Sequence, residues 1–533
     1  MGKNRQKSHV KASGPAAQAE VIRFLESGAG FGDSTQRIDT HGAIIFLTGD
    51  LALKIKRAVK YDYMDLSTVA KRHTLLDREL ELNKSTAPSI YRSVMPIVRR
   101  KDGALALDGP GDVLEWVLVM NRFPAKAELA HIADDCGIDD ALALKLGASI
   151  ARYHAASPVR NLDGGALIEE IIDELERVFR SMGEAISVEA SDFIARSRKV
   201  WSDLSVRLRQ RSRNGHIRRC HGDLHLRNIV VIGGVPTPFD ALEFNERLGT
   251  CDTLYDLAFL LMDLDHRGMG HPANLVLNAY FSEACSDLTD SGLSLLPLYL
   301  SIRAAIRTMV DVQTAAVAAD GIEMMGEARA YLMQAMDYLD PKPTVLLAIG
   351  GYSGSGKSTI ARAIAHKIGA APGALHIRSD VARKTLLHHD PLTHLGAEGY
   401  TPEVTARTYD AIRHQARIVL GQGHSVILDA VHGNADARRA AEDIATDAGC
   451  DFVGIWLESK TATRLARIST RGPDASDANS TVVIRQAGAD PGAMQWHRID
   501  TDRSLEETLS SVSMTLNPHK ITDKQTLGES DVG

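Results

Sequence analysis

The amino-acid sequence predicts two domains of different fold class, an α+β domain followed by an α/β domain with a mainly parallel sheet. In the first part of the chain, a hairpin-like pair of short strands precedes long helical patterns. Asp340-Pro-Lys-Pro343 then breaks the helical pattern immediately before a buried strand. A glycine-rich loop and a helix follow that strand, which is the order expected in a parallel α/β sheet.

Length and charge narrow the possible classes of protein. A chain of 533 residues exceeds what one hydrophobic core usually supports, so two or three domains are expected. The 61 Lys and Arg residues are outnumbered by 68 Asp and Glu residues, which gives a net charge of −7. This balance argues against bulk electrostatic binding to nucleic acid, although it leaves room for a local basic groove.

Cysteine spacing and apolar runs predict a cytoplasmic protein. The five cysteines are scattered without a C-x-x-C pair, which indicates reduced thiols rather than a disulfide framework or a zinc site. The best apolar run, 257–262, is flanked by aspartates and is far too short to cross a membrane. The polar, basic N-terminus lacks the apolar region of a secretory signal. No membrane partner is therefore expected.

Changes in composition predict the domain boundaries. Basic, small and polar residues predict a disordered leader over 1–18, and an Asn/Lys/Asp/Ser-rich composition predicts a disordered tail over 516–533. Between them we expect a first domain over 19–338, a linker over 339–343 and a second domain over 344–515.

Hydrophobic periodicity gives the first domain a hairpin, one further strand early in the chain and many helices. The turn of the hairpin is Thr48-Gly-Asp50. In chain order, the predicted elements are a helix from 19, strands over 43–47 and 51–55, a helix over 67–84, a strand over 113–120, mostly helix over 126–215, a strand over 229–232, and helices from 254 to about 338.

A polar loop at the centre of this domain carries residues typical of phosphoryl transfer. His221-Gly-Asp-Leu-His-Leu-Arg-Asn228 fits the kinase catalytic-loop pattern H-R-D-L-x-x-x-N, with Gly in place of Arg. This chemistry needs a carboxylate that accepts the proton of the attacking hydroxyl, and Asp223 holds that position. Asn228, and Asp240 at the end of the next hairpin, are the predicted Mg²⁺ ligands.

The same chemistry needs a lysine on an early strand, held by a glutamate on the next helix. Lys54 is the predicted lysine, and Lys56 points to the same face of the strand, so both remain candidates. Glu79 is the predicted partner, with Glu81 as the alternative.

These motif residues resemble the aminoglycoside phosphotransferase and choline kinase branch of the protein-kinase-like fold. The resemblance covers residues 40–264 and continues more weakly to about 335. It implies a protein-kinase-like first domain in which Asp223 is the base and Asn228 and Asp240 bind Mg²⁺. It also implies that a small-molecule hydroxyl is the phosphoryl acceptor.

Three residues near the catalytic loop keep more modest roles. His221 is predicted to bond the loop backbone rather than to take part in the chemistry. His225 is either a loop residue or a substrate contact. Glu243 either faces the acceptor or is an ordinary solvated carboxylate.

The second domain opens on the phosphate-loop pattern G-x-x-x-x-G-K-[ST]. Residues 344–350 predict a buried strand and 360–367 predict the helix that should follow the loop. Glycines let backbone N–H groups turn toward a phosphate, the lysine reaches the β- and γ-phosphates, and the Ser358 hydroxyl binds Mg²⁺. The alternative is a glycine-rich turn without a ligand. The predicted ATP-binding residues are Gly351, Ser353, Gly354, Ser355, Gly356, Lys357, Ser358 and Thr359.

Further segments complete this second predicted site. Residues 425–429 form a buried strand ending in Asp429, the position of a Walker B metal ligand. His376-Ile-Arg-Ser-Asp380 resembles the acceptor-binding segment of small phosphate-loop kinases such as gluconate and shikimate kinases. That resemblance implies that Asp380 is a base or an acceptor anchor; the other interpretation is a helix N-cap, and the two can coexist. It also implies a lid helix whose arginines close on the nucleotide, the alternative being a solvated basic face; these are Arg464, Arg467 and Arg471.

The order of the two domains is similar to that of a group of uncharacterised bacterial proteins with an AAA-type ATP-binding domain. We therefore expect an ATP- and Mg²⁺-dependent phosphotransferase that acts on a small-molecule hydroxyl and carries a second ATP site. A nucleotide-sensing regulator with little turnover is one alternative, although the retained catalytic set argues against it. A polynucleotide kinase is another, and the negative net charge argues against nucleic acid as a partner. Nothing in the sequence indicates an oligomeric state.

Overall fold

The computed structural model describes residues 15–516, apart from 30, 32–34, 62–63, 183–186, 285–287, 291, 316–320 and 473. Residues 1–14 of the predicted leader and 517–533 of the predicted tail lie outside this range. The described residues form two compact units: the first contains those up to 138, with 156–160 and 217–256, and the second contains 139–155, 161–216 and those from 257 to 516. The predicted linker therefore falls within the second unit, between a helix that ends at Leu339 and a strand that begins at Val345.

The first unit is built on strands joined mainly by short turns. Its strands are β1 (Thr35–Asp39), β2 (Ala43–Thr48), β3 (Leu51–Lys56), β4 (Lys60–Tyr61), β5 (Met64–Asp65), β6 (Tyr91–Arg99), β7 (Leu105–Leu107), β8 (Asp112–Asn121), β9 (Ile217–Arg219), β10 (Ile229–Ile232), β11 (Val235–Pro238) and β12 (Thr250–Asp252). Six of them form an antiparallel sheet in the order β1-β2-β3-β8-β6-β7. The predicted hairpin is β2–β3, which turns at Gly49 with a φ of +52°.

Helices α1 (Pro15–Glu26) and α2 (Val69–Lys84) cover opposite faces of this sheet. Side chains alternate along β3 because successive Cβ atoms of a strand point to opposite faces. Leu53 and Ile55 pack with Leu25 of α1 in one buried cluster. Lys54 and Lys56 therefore point to the α2 face, as predicted from their spacing.

The predicted leader and tail each extend too far into the folded chain. α1 begins at Pro15, and Gln18 is 6% exposed. The amide of Gln18 donates to the carbonyl of Lys56 and accepts from the N–H of Ala58, so it fixes the end of β3. Leu516 is the last residue of the helix Leu505–Leu516 and is buried.

Helices occupy most of the chain between 129 and 339, as predicted. They are α3 (Leu129–Asp135), α4 (Asp140–Ala156), α5 (Gly164–Ser181), α6 (Ser187–Arg213), α7 (Thr253–His266), α8 (Gly270–Glu283), α9 (Leu296–Ala315) and α10 (Gly321–Leu339). The expectation that the best apolar run is too short to cross a membrane is wrong, because 293–315 is long and apolar enough to do so and contains an 18-residue window with a mean hydropathy of 1.3. However, 67% of that window is buried inside the protein, as is typical of a core helix.

The last part of the chain forms the predicted α/β domain. Its strands are β13 (Val345–Gly350), β14 (Leu375–Arg378), β15 (Val426–Asp429), β16 (Asp451–Glu458) and β17 (His497–Asp500), which form a parallel sheet in the order β14-β15-β13-β16-β17. Its helices are α11 (Lys357–Ile364), α12 (Ser379–Leu386), α13 (Pro402–Leu420), α14 (Ala435–Ala448), α15 (Thr461–Ser469), α16 (Ser480–Gln486) and α17 (Leu505–Leu516). Every residue of β13 is buried, because helices cover both faces of such a sheet. The carboxyl ends of β13, β14 and β15 meet at one edge, where ligands of such sheets bind.

Candidate active sites

Two lysines of β3 and three carboxylates form one network in the first unit. Lys54 Nζ lies 2.7 Å from Glu79 and 2.7 Å from Asp240. Lys56 Nζ lies 2.6 Å from the other oxygen of Glu79 and 2.6 Å from Glu243. Of the two candidate lysines, Lys54 is thus the one in contact with a predicted metal ligand. Glu243, with a side chain 10% exposed, is an internal partner of Lys56 rather than a solvated carboxylate.

Charge pairing outweighs burial at Lys54. Burial disfavours its charged form, but Asp240 and Glu79 raise the pKa of Lys54 well above its ordinary value. Burial would raise the pKa of Asp240, but Lys54 lowers it below the ordinary value. Both groups are therefore charged at neutral pH. Glu81, the alternative partner, is exposed and pairs with Arg78 at 2.7 Å.

Backbone contacts hold Asp240 at the end of its hairpin. Its φ of +60° is uncommon for a residue other than glycine, although aspartate tolerates this region better than most. The N–H of Asp240 donates to the hydroxyl of Tyr91, and the N–H of Ala241 donates to the side chain of Asn83. Sequence reasoning missed both partners, because they lie 149 and 158 residues away along the chain.

The predicted catalytic loop ends in a short 3₁₀ turn, Leu226–Asn228. Asn228 Nδ2 donates to both the backbone carbonyl and the carboxylate of Asp223, each at 2.9 Å. Nε2 of His221 donates to the carbonyl of Phe239 at 2.8 Å, and its Nδ1 accepts from the N–H of Asp223 at 3.3 Å, so the ring contacts the loop backbone as predicted. The side chain of Asp223 remains 44% exposed, so a second molecule can reach it.

A buried carboxylate that the sequence reasoning missed fixes the start of this loop. Asp256 accepts hydrogen bonds from the N–H groups of His221 at 3.0 Å and of Gly222 at 2.8 Å. Its side chain is fully buried, so these charge-assisted bonds are shielded from water. The sequence signal that could have indicated this role is the position of Asp256 directly before the apolar run 257–262.

The phosphate loop joins β13 to α11 in the second unit. Gly354 has a φ of +82°, and a Cβ there would lie 2.7 Å from the carbonyl oxygen of Arg464. Because α11 begins at Lys357, the positive end of its dipole lies at the loop. Lys357 Nζ donates to the carbonyl of Tyr352 at 3.3 Å, and burial lowers the pKa of Lys357.

A cavity of about 1520 Å³ opens at this loop. Pockets for one small ligand typically hold roughly 300–1,000 Å³, so this cavity has room for a nucleotide and a second molecule. Gly351 is not among the residues that line this cavity; its N–H donates to the carbonyl of Val431, which follows β15. The other predicted loop residues line the cavity: Ser353, Gly354, Ser355, Gly356, Lys357, Ser358 and Thr359.

The predicted metal ligands of this unit are in direct contact. Ser358 Oγ donates to Asp429 Oδ2 at 2.5 Å, and both residues line the cavity. The same carboxylate oxygen lies 3.0 Å from Nε2 of His376, a residue that the sequence reasoning gave no role at this carboxylate. Burial would raise the pKa of Asp429, but the hydrogen bond from His376 and nearby positive charges hold it well below its ordinary value.

Asp380 is the second residue of α12 and lines the same cavity. The alternative that it caps this helix is wrong, because the N-cap position is Arg378. Burial raises the pKa of Asp380, which brings the carboxyl nearer to the range useful for proton transfer.

The three arginines of the predicted lid do not share one environment. Arg467 and Arg471 line the cavity, and Arg467 donates to the carbonyl of Ser355 in the phosphate loop at 3.3 Å. Arg464 is 4% exposed and lies with its guanidinium carbon 5.5 Å from the centre of the Tyr352 ring. Arg464 therefore supports the loop from the side instead of facing the cavity.

Ion pairs that the sequence reasoning missed hold the segment after α15 against α12 and the chain that follows it. Arg378 donates to Asp474 at 2.8 Å. Lys384 lies 3.0 Å from Asp477, with side chains 1% and 6% exposed. Tyr400 also donates to Asp477, at 2.8 Å. Asp474, Asp477 and Tyr400 line the cavity together with Asp380, so these contacts lie in its wall.

The donor sets in both units suit Mg²⁺, which prefers oxygen ligands. In the second unit, hydroxyl and carboxylate oxygens of Ser358 and Asp429 converge at 2.5 Å on the cavity wall. In the first unit, Asn228 has an amide oxygen and contacts Asp223 through its Nδ2, and Asp240 has a carboxylate that contacts Lys54. The residues present therefore fit the ion in both units.

Two family models match the chain. The phosphotransferase enzyme family matches residues 94–290, and the AAA domain family matches residues 346–489. The fold and the two sites thus define a protein with a kinase-like phosphotransferase domain and a phosphate-loop kinase domain, as the sequence predicted.

Two mycobacterial relatives are similar to most of the chain. An uncharacterized protein of Mycobacterium tuberculosis is 30% identical over 491 residues, which is 88% of this chain and 93% of that protein. An uncharacterized protein of Mycobacterium bovis matches to the same extent. The chain belongs to the same family as these mycobacterial proteins. An adenylyl-sulfate kinase of Myxococcus xanthus is 29% identical over 123 residues, 23% of this chain and 62% of that protein.

Two solved structures are each similar to a portion of the chain. A choline/ethanolamine kinase family protein from Mesorhizobium loti is 17% identical over 61% of this chain and 95% of its own, with a TM-score of 0.38. A gluconokinase from Sinorhizobium meliloti is 20% identical over 34% of this chain and 95% of its own, with a TM-score of 0.25.

Proposed function

We propose that the protein is a cytoplasmic ATP- and Mg²⁺-dependent phosphotransferase with two sites, the first of which acts on a hydroxyl of a small molecule. The two kinase-family matches support the reaction class. The observation that carries the proposal is the position of Lys54, 2.7 Å from both Glu79 and Asp240. A lysine between a helix glutamate and a metal-binding aspartate is the arrangement that kinase catalysis requires.

In the first site, the chain's own residues act by positioning and by neutralising charge. Asp223 accepts the proton of the attacking hydroxyl, and Asn228 keeps that carboxylate oriented through their 2.9 Å hydrogen bond. Lys54 contacts the phosphates, while Glu79 holds its ammonium in place. Asn228 and Asp240 would hold Mg²⁺, which offsets phosphate charge when bound.

In the second site, Lys357 and the N–H groups of the phosphate loop bind the nucleotide phosphates. Ser358 and Asp429 would hold Mg²⁺. Asp380 takes the acceptor's proton, and the 1520 Å³ of the cavity accommodate acceptor and nucleotide together.

ATP consumption over a panel of small hydroxyl compounds tests the proposal. Asp223→Asn should lower turnover of one group of acceptors by about 10²–10⁴-fold, the usual contribution of a general base. Lys357→Ala should leave those acceptors untouched and abolish turnover at the second site. If no compound stimulates ATP consumption and neither substitution changes it, the protein is not the proposed enzyme.

A further inference from the structure

β14 is an edge strand of the second sheet, and the helix α8 covers its open side. Within the sheet, β14 pairs with β15 and with no further strand among those in the described chain. Open strand edges leave N–H and C=O groups without partners and are usually covered or blocked. Asn274 and Asn278, one turn apart on α8, face these groups.

The two asparagines replace the missing neighbouring strand. Asn278 Oδ1 accepts from the N–H of His376 at 2.7 Å, and its Nδ2 lies 3.3 Å from the carbonyl of Ala374. Asn274 Nδ2 donates to the same carbonyl at 3.0 Å. In a parallel ladder, one residue of the neighbouring strand bonds to the carbonyl before a residue and to the N–H after it. A parallel strand beside β14 would therefore engage the same two groups, the Ala374 carbonyl and the His376 N–H, which lie on either side of Leu375.

The residue held in this way reaches the candidate metal site. His376 Nε2 lies 3.0 Å from Asp429 Oδ2, the oxygen that also accepts from Ser358. Its side chain is 9% exposed, so the contact is shielded from water. A continuous series of hydrogen bonds therefore runs from Asn278 through His376 to Asp429.

The helix at the start of this series lies in a different family-matched stretch of the chain from β14, although both belong to the second compact unit. α8 spans Gly270–Glu283, within the stretch matched by the phosphotransferase family model, 94–290. The matched stretch of the AAA domain, 346–489, contains His376 and Asp429 but neither asparagine. A side chain from the stretch matched by the phosphotransferase family thus contacts the backbone of His376, whose ring contacts Asp429.

We propose that His376 and Asn278 are positioning residues of the phosphate-loop site, so that α8 is a structural part of that site. His376 orients Asp429 for Mg²⁺, and Asn278 fixes His376 through its backbone. This inference rests on the proposed Mg²⁺·ATP function of Ser358 and Asp429. Partners that orient metal ligands typically change metal affinity by about 10–100-fold when removed.

Calorimetric titration of the full chain with ATP, with and without Mg²⁺, tests the inference. An Asp240→Asn background removes the first site from the measurement. His376→Phe should weaken Mg²⁺·ATP binding at least tenfold and leave binding of metal-free ATP within twofold, whereas His376→Gln, which keeps a donor, should recover most of the loss. Asn278→Leu should weaken Mg²⁺·ATP binding severalfold through the same series, and Asn278→Asp, which keeps the acceptor for the His376 N–H, should weaken it less.

Two controls separate positioning from general loss of structure. Gln422 donates to the carbonyl of Leu288, a contact between the same two matched stretches that does not involve β14, so Gln422→Leu should leave Mg²⁺·ATP binding unchanged. The double variant Asn278→Leu/His376→Phe should bind no more weakly than His376→Phe alone, since both act through one series.

Several results would overturn the inference. Additive losses in the double variant, equal losses with and without Mg²⁺, or an unchanged His376→Phe protein would each contradict it while leaving the proposed function intact. If the starting protein binds no Mg²⁺·ATP and Lys357→Ala changes nothing, the proposed function fails and the inference fails with it.

Discussion

Substituting methionine for each lysine of β3 separates the role of Lys54 from that of Lys56. Both lysines lie on one face of one strand and contact Glu79, so either change leaves Glu79 with one cation. They differ in their second partner. Lys54 contacts Asp240, whose side chain is 40% exposed, whereas Lys56 contacts Glu243, which is 10% exposed.

Lys56→Met should therefore mainly lower stability, whereas Lys54→Met should mainly weaken ATP binding. Lys56→Met leaves the buried carboxylate of Glu243 without its cation. The free energy of unfolding of this variant should therefore fall by about 3–5 kcal/mol. Lys54→Met should lower the free energy of unfolding by less, because water reaches Asp240 and solvates its carboxylate. A charged hydrogen bond to phosphate contributes about 1.5–3 kcal/mol, so Lys54→Met should weaken ATP binding by roughly 10–150-fold. Lys56→Met should keep affinity within about threefold, since its partners are away from the phosphates.

Urea unfolding and calorimetric titration with Mg²⁺·ATP measure the two effects, with Lys357→Ala as the background that silences the second site. Titrations belong at a temperature where both variants are folded. If folded Lys56→Met loses as much affinity as Lys54→Met, the assignment of the phosphate contact to Lys54 is refuted.

Three further predictions concern buried polar groups. Asp256→Asn weakens the contacts to the N–H groups of His221 and Gly222, so unfolding by urea should require about 1–3 kcal/mol less; no change would contradict the positioning role. Burial lowers the pKa of His424 to about 4. As the pH falls, the unfolded chain binds a proton at His424 before the folded chain does, so the free energy of unfolding should fall by about 3 kcal/mol between pH 6.5 and pH 4. Thermal melting at several pH values measures this dependence, which His424→Leu should reduce. Asp477→Asn leaves Lys384 uncompensated, so hydrogen exchange around 391–400 should speed up; unchanged exchange would contradict this role.

Those parts of the sites that lie within short motifs could be predicted from the sequence. The spacing of Asp223 and Asn228 follows from the geometry of one loop, and the structure brings their side chains within 2.9 Å. The phosphate loop was predictable for the same reason, since its strand, glycines and helix are contiguous. In both loops, the groups that act together lie close along the chain, so their spacing can be read from the sequence. The roles assigned to these residues remain predictions.

Contacts between distant segments could not be predicted in this way. Alternation along a strand places Lys54 and Lys56 on one face, and the position of Asp240, 186 residues later, distinguishes them. Helical spacing likewise groups Arg464 with Arg467, yet the rotation of the helix against its neighbours turns Arg464 away from the cavity. Asn278 and His376 carry no local signal, because neither residue type is unusual at its own position.

The number of nucleotides bound per chain tests the central claim most directly, since the account requires two different ATP sites. Calorimetric titration with Mg²⁺·ATP should give about two equivalents for the unmodified protein, and about one for Lys357→Ala and for Asp240→Asn. The double variant should bind none. A single equivalent in the unmodified protein that survives either substitution would contradict the account.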